Sequence, residues 1–262
     1  MKLGNIKKVA LAATLSLGLS VAAQAQGAYA KLGAGYQFGM GSATVTQTTG
    51  SQIERIKLNY GKGVVGNLAL GYMFNPNIGA ELGFGYLAGA KNESKNVYGN
   101  RVEDDTYYSR MLLIQPSIVI SAGKEGLNPY AKFGLVAAKG KLVHELEYTQ
   151  NGVAEMEIEQ NGGWGLGLQG ALGVEFGLSD QLAFFSELSM SNLSYAPERS
   201  EVVAYRYNGT DAMHYLTVRD RETVYVDSYV DSNKGEAMPR ERLKENVPFS
   251  SVGINLGVKY NF

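Results

Sequence analysis

Asp104, Asp105, Asp211 and His214 are the residues of this 262-residue chain whose types could do chemistry. An aspartate pair and an Asp/His pair brought to one place could activate a water, with the imidazole as general base. His144 and His214 are the only histidines. All four candidates fall in polar, acid-rich stretches, so ordinary solvated side chains are the simpler reading. The run Gly165-Leu-Gly-Leu-Gln-Gly170 matches a phosphate-binding glycine fingerprint, which works only between a strand and a helix. Here it lies inside one extended stretch, so no nucleotide site is expected. The absence of cysteine leaves no thiolate metal site and no disulfide. No cofactor and no metal are expected. A second group of charges is Lys31, Lys132 and Lys259 against Glu81, Glu175 and Glu187, three of each sign. Each stands in an alternating segment, on the row opposite the apolar one.

Those segments are strands by their period of two. The last shows it best. Val252, Ile254, Leu256, Val258, Tyr260 and Phe262 form an apolar row, and Ser251, Gly253, Asn255, Gly257, Lys259 and Asn261 a small or polar one. The same pattern predicts strands over 28–40, 64–74, 78–86, 107–120, 130–138, 163–178 and 182–190, eight in all. Pro116 sits in the apolar row of the fourth, where it cannot donate to a ladder, and a bulge is expected there. Connections alternate between short turns and long polar stretches over about 42–62, 88–106, 140–162 and 194–248. In the last of these, 201–207, 213–219 and 223–229 alternate again, and Asn208-Gly209 is a hairpin turn signal. Each has about seven residues, short for a span of roughly 9–11, and each carries charge. A hairpin projecting beyond the membrane is expected, with its many tyrosines either pairing across its own strands or forming a recognition surface.

Composition narrows the class. A net charge of −1 argues against a nucleic-acid partner. Glycine is 33 of 262 residues while proline is only 6, so the glycines need a structural reason rather than disorder. Residues 1–25 read as an export signal, with Lys2, Lys7 and Lys8 before an apolar run and Ala23-Gln24-Ala25 as its cleavage site. The residues of the apolar rows contain no Asp, Glu, Lys or Arg, those of the fourth segment being Leu112, Ile114, Pro116, Ile118 and Ile120. A charge facing lipid costs roughly 2–4 kcal/mol at mid-bilayer, so rows free of charge suit contact with acyl chains. The opposite rows, crowded with glycine, suit the interior of a small barrel, which is just wide enough for side chains. The six charges would then form a paired network plugging the interior, or line a water-filled one.

Asn255, Gly257, Tyr260 and Phe262 resemble the closing-strand insertion signal of bacterial outer-membrane barrels. The chain from 26 to 262 is similar to the small eight-stranded barrels of the opacity and OmpA types. That resemblance implies an all-β fold, an eight-stranded antiparallel up-and-down transmembrane β-barrel in the bacterial outer membrane. It also implies outer-membrane lipids and the barrel-insertion machinery as partners. Omptin-family outer-membrane proteases place an Asp pair and an Asp/His pair at their outer mouth, but they have ten strands and a tighter Asp/His spacing than 211 and 214 give. Lipid-A-modifying barrels carry a His and a Ser on strands, and no predicted strand here carries a histidine. The expected function is structural or surface-interacting, through extracellular loops that could meet an external ligand. A narrow channel for small solutes is the alternative, and a protease at the outer mouth the remote one.

Overall fold

The computed structural model describes residues 27–40, 43–49, 51–230 and 235–262, so the predicted export signal over 1–25 lies outside the described residues. The fold is all-β. Strands are β1 (Ala28–Gly39), β2 (Ala43–Thr49), β3 (Gln52–Leu58), β4 (Gly63–Met73), β5 (Ile78–Gly89), β6 (Asn92–Tyr98), β7 (Arg101–Ser121), β8 (Leu127–Thr149) and β9 (Val153–Asn161). They continue as β10 (Gly165–Gly177), β11 (Leu182–Tyr195), β12 (Arg199–Tyr207), β13 (Thr210–Asp211), β14 (Glu222–Val226), β15 (Arg240–Leu243), β16 (Val247–Pro248) and β17 (Ser251–Asn261).

Antiparallel pairings run from β1 to β4, β5, β7, β8, β10, β11 and β17, and from β17 back to β1. These are the eight predicted segments, and their register sets which side chains share a face. Leu32, Leu68, Phe84, Ile114, Ala137 and Leu166 lie in one cross-strand row. The row is exposed, Leu32 at 61% and Leu166 at 70%, while the next residue along each strand turns inward. An apolar belt of this size does not face water in a soluble monomer.

Among the described residues the strand total is seventeen rather than eight, because the long polar connections are themselves paired. β2 and β3 form a hairpin, and β6 returns along β7. β7 and β8 continue far past the predicted 107–120 and 130–138, and β9 folds back on β8. β6 and the outer part of β7 are polar on both faces, and on β8 and β9 the alternation of Glu145, Glu147, Glu155, Glu157 and Glu159 with Leu146, Met156 and Ile158 is short and lies inside charged stretches. In the last connection β12 lies beside β9 and β14. The predicted 213–219 strand is instead a 3-10 turn at Met213–Tyr215 followed by a short helix at Val218–Arg221. Thr217 and Asp220 cap that helix reciprocally, which stops the chain from extending. The Asn208-Gly209 hairpin forms and pairs Tyr207 with Thr210 across it, while on their other edges Tyr205 faces Met156, Tyr207 faces Ala154 and Tyr225 faces Arg242.

Pro116 makes no bulge. The β7–β8 register is the same on either side, Ile114 opposite Ala137 and Ser117 opposite Gly134, and the ladder simply omits the two residues between. The proline carbonyl comes within 2.0 Å of where a Cβ on Gly134 would stand, so only glycine fits there.

Candidate functional site

The interior of the paired circuit is the part of the molecule where the predicted residues meet. At the end that carries the short turns, all six charges converge. Lys31 and Lys259 stand directly opposite each other on β1 and β17, an unfavourable pair of like charges. Glu175 from β10 resolves it by giving one carboxylate oxygen to each, at 3.0 and 2.9 Å. On the other side Lys31 lies 3.6 Å from Glu81 and 3.7 Å from Glu187. Lys132 joins those two carboxylates at 2.8 and 2.7 Å. Lys31, Glu81, Lys132 and Glu187 therefore form a closed cycle of alternating sign, with Glu175 and Lys259 attached at Lys31. The Lys31 ammonium is not in hydrogen-bond geometry with any carboxylate, and sits 4.1 Å above the Tyr130 ring. Tyr29 donates to Glu81 at 3.0 Å and Tyr130 to Glu187 at 2.6 Å. Lys31 is 4% exposed, so charge balance is what makes the cluster tolerable.

The glycines of the interior rows have a steric role here. A Cβ on Gly71 would meet the Tyr29 ring at 2.1 Å, and one on Gly173 the Tyr130 ring at 2.4 Å. Each tyrosine lies flat over a neighbouring strand's glycine, an arrangement sheets use to cover such positions. The rings in turn roof the ion cluster.

Above the charges lies a neutral polar layer. Asn255 is buried, accepts from Asn67 at 3.2 Å and donates to Ser189 at 2.9 Å. Gln169 donates to Ser117 at 2.9 Å. This layer surrounds an interior cavity of about 90 Å³ that touches Glu81, Lys132 and Glu187 at one end and Val65, Leu87, Leu193 and Phe249 at the other. The far end is filled by apolar side chains, among them Met111 at 0% exposure, Val136, Leu142 and Tyr195. Phe249 packs on Tyr60 and Tyr195 with ring centroids 6.0 and 6.1 Å apart. Burial pushes the Tyr60 hydroxyl up to about 12. Sequence reasoning missed this apolar layer, because Val65, Leu87 and Leu193 stand on rows otherwise made of small or polar residues.

The closing-strand residues divide by face. Asn255 and Gly257 point inward, Gly257 against Phe185. Tyr260 is exposed and meets Phe262 edge-on at 5.2 Å.

The structure does not gather the four candidates for chemistry into one site. Asp104 pairs with Lys95 at 3.0 Å. Asp105 meets His144 at 2.6 Å, and the His144 ring stacks on Tyr107 at 4.2 Å. Asp211 accepts from the Met213 amide at 2.9 Å, and His214 packs on Tyr215 at 4.0 Å. A histidine does occupy a strand after all: His144 is on β8, in its unpredicted extension. No three His, Asp or Glu residues are grouped to hold a metal among the described residues.

Residues 10–214 match the family model for an outer membrane protein beta-barrel domain. The chain belongs to that family. It is a protein of the bacterial outer membrane. β17, which completes the pairing circuit, lies beyond the matched residues. Among solved structures the chain is similar to two of Ail, the attachment invasion locus protein of Yersinia pestis, at 12% identity. One covers 91% of this chain and 100% of its own with a TM-score of 0.32. The other, in complex with the heparin analogue sucrose octasulfate, covers 90% and 99% with a TM-score of 0.33. No protein of curated function matches the sequence.

Proposed function

We propose that the chain is an eight-stranded antiparallel up-and-down transmembrane barrel that acts as a surface-interaction protein rather than a channel or an enzyme. The circuit of eight antiparallel pairings and the exposed apolar belt support the barrel. The short turns at one end and paired hairpins at the other support an orientation with the hairpins outside. One observation carries the function: the interior is occupied at two levels, by the Lys31 ion cluster and by the Met111–Tyr195–Phe249 apolar layer, with only about 90 Å³ between them. Solute passage through such an interior would require both layers to open. What remains for partners is the paired extension formed by β6, β7, β8, β9, β12 and β14. The separate partners of Asp104, Asp105, Asp211 and His214 favour a non-catalytic reading over the protease.

Planar-bilayer recording of the purified protein tests this. No stepwise conductance is expected. Discrete, reproducible steps would refute the sealed interior and favour the channel.

A further inference from the structure

Asn-Gly occurs three times in the chain, at 151–152, 161–162 and 208–209, and all three stand at strand ends of the paired extension. Glycine has no Cβ to keep its amide nitrogen away from the side chain before it. The pair can therefore close on itself wherever the backbone is free to turn. The structure separates the three. Asn208 and Gly209 are the central residues of the turn between Tyr207 and Thr210, with φ of 50° and 77°, as a tight hairpin requires. The Asn208 carboxamide accepts from the Val153 amide at 2.8 Å, and its own amide donates to the Val153 carbonyl at 2.7 Å. Asn161 is the last residue of β9, paired with Lys141 on one side and Arg199 on the other. Its carbonyl accepts from the Glu198 amide at 2.9 Å, and the Gly162 carbonyl accepts from Tyr195. Asn151 has neither kind of restraint. The β8–β9 ladder ends at Thr149 opposite Val153, and the connection is crossed by a bond of 3.2 Å from the Gln150 amide to the Gly152 carbonyl. Asn151 is exposed, and among the described residues neither its carboxamide nor the Gly152 amide has a hydrogen-bond partner.

We propose that Asn151 is a spontaneous modification site, at which water alone converts the carboxamide to a carboxylate. The Gly152 amide nitrogen attacks the side-chain carbonyl carbon of Asn151. A C–N bond forms to that nitrogen, the bond to the side-chain nitrogen breaks, and ammonia leaves with the proton the amide gives up. A cyclic imide, a succinimide, remains. Water then adds to either of its two carbonyl carbons. The ring C–N bond at that carbon breaks and the nitrogen recovers its proton, giving aspartate in one case and isoaspartate in the other. No oxidant or cofactor enters. Either product puts a new negative charge on the tip, and isoaspartate also lengthens the backbone by a methylene. The tip has little room for that. A Cβ on Gly152 would stand 2.5 Å from the Tyr207 hydroxyl and 2.9 Å from the Asn208 carboxamide oxygen. The connection is thus packed against the neighbouring hairpin, at the place where Asn208 clasps Val153. Lengthening the chain there moves Gly152 out of the contact and loosens the clasp.

The full chain, folded in lipid vesicles, is aged in mildly alkaline buffer beside the same chain unfolded in urea, which gives each site its unrestrained rate. Cleavage after glutamate puts the three pairs in separate peptides, 148–155, 160–175 and 202–222. Mass spectrometry reads the loss of the amide in each, and fragmentation distinguishes isoaspartate from aspartate. In the folded chain position 151 is expected to react at close to its unfolded rate. Positions 161 and 208 are expected to react at least about tenfold more slowly, since each must first open its pairing. An Asn151→Gln variant, whose ring would be larger and closes far more slowly, is expected to leave 148–155 unmodified. Equal rates at the three sites of the folded chain, a faster reaction at 161 or 208, or as much change in 148–155 of the variant as of the parent would each overturn the site. Amide exchange at Val153 reads the loosened clasp. It is expected to rise about fivefold on ageing, the weight of one hydrogen bond, and to stay constant in the aged Asn151→Gln variant. No rise in the aged parent, or an equal rise in the variant, would refute the loosening.

Discussion

Replacing Lys31 by methionine leaves Glu81, Glu175 and Glu187 facing only Lys132 and Lys259, so one buried carboxylate has no counter-charge. Breaking a buried ion cluster from one side costs about 3–5 kcal/mol. Glu187→Gln errs in the opposite sense, leaving three ammonium groups against two carboxylates, and a similar loss is expected. Independent effects would add to about 6–10 kcal/mol in the double variant. The geometry gives a different answer. With both changes, Lys132 keeps Glu81 at 2.8 Å and Lys259 keeps Glu175 at 2.9 Å. Two separate one-to-one pairs remain, and the amide oxygen at 187 can still accept from Tyr130. The double variant is therefore expected to lose only about 1–2 kcal/mol, less than either single change, because no charge is left unpaired. Urea unfolding in lipid vesicles, followed through Trp164, gives all four corners of the cycle. Additive losses would refute the account, since they would mean that the six charges do not act as one balanced cluster.

Gly173→Ala would set a methyl 2.4 Å from a tyrosine ring whose hydroxyl is fixed on Glu187. A loss of about 1–3 kcal/mol is expected by the same unfolding assay, and unchanged stability would show that the ring can move aside. Leu168→Arg, mid-strand on the exposed face, is expected to cost about 2–4 kcal/mol in vesicles; a negligible cost would remove the belt from contact with acyl chains. Burial acts to raise the Glu145 carboxyl, but hydrogen bonds from Lys91 and Tyr108 outweigh it and hold the group below the ordinary glutamate range. A depressed carboxyl stabilises above its unfolded pKa and loses that contribution as pH falls through the folded value. Faster amide exchange at the β7–β8 tip is thus expected only below about pH 4, after correction for intrinsic rates. Protection that does not change between neutral pH and about pH 3 would show that these bonds do not hold the tip.

How much of this could be read from the sequence varied with the kind of alternation. Leu166, Leu168 and Leu172 against Gly165, Gly167 and Gly173 announce a strand and its two faces at once, because one face is an exposed apolar row and the other a crowded interior. The six charges were visible for the same reason, each an ionised residue on a row of small ones. That Lys31 and Lys259 share Glu175 was not, since it depends on register between β1, β10 and β17, which lie far apart in the chain. The β6–β7 pairing gives no such contrast because both of its faces are polar, and in β8–β9 the alternation of Glu145, Glu147, Glu155 and Glu157 with Leu146, Met156 and Ile158 spans too few residues to stand out from a charged stretch. The Asp105–His144 contact belongs with them. It needs the β7–β8 ladder to continue about seven residues beyond Leu112 and Ala137, which only the pairing itself reveals.

The shared strands also bear on how a partner would meet the outer part. β7 is 21 residues long and β8 is 23, against roughly 9–11 for a tilted span. Both belong to the circuit below and to the extension above. Their ladder runs without a break from Val102 opposite Thr149 to Ile114 opposite Ala137, past the height at which the circuit gives way to the extension. A hinge requires a few residues free to absorb a change in φ and ψ, and a continuous ladder provides none there. The β2–β3 hairpin is attached differently. Among the described residues its links to β6 include one parallel pairing, Thr49 with Val97, and two bonds through side chains, from the Thr48 amide to Asn96 and from the Lys95 amide to Gln47. Amide exchange in vesicles should therefore be graded, slow in 102–108 and 142–148 and fast in 52–57. That ordering would make the β7–β8 extension a surface fixed before any partner arrives, and β2–β3 the segment that adjusts. The opposite order, or one rate for both, would mean that the ladder does not carry rigidity out of the barrel.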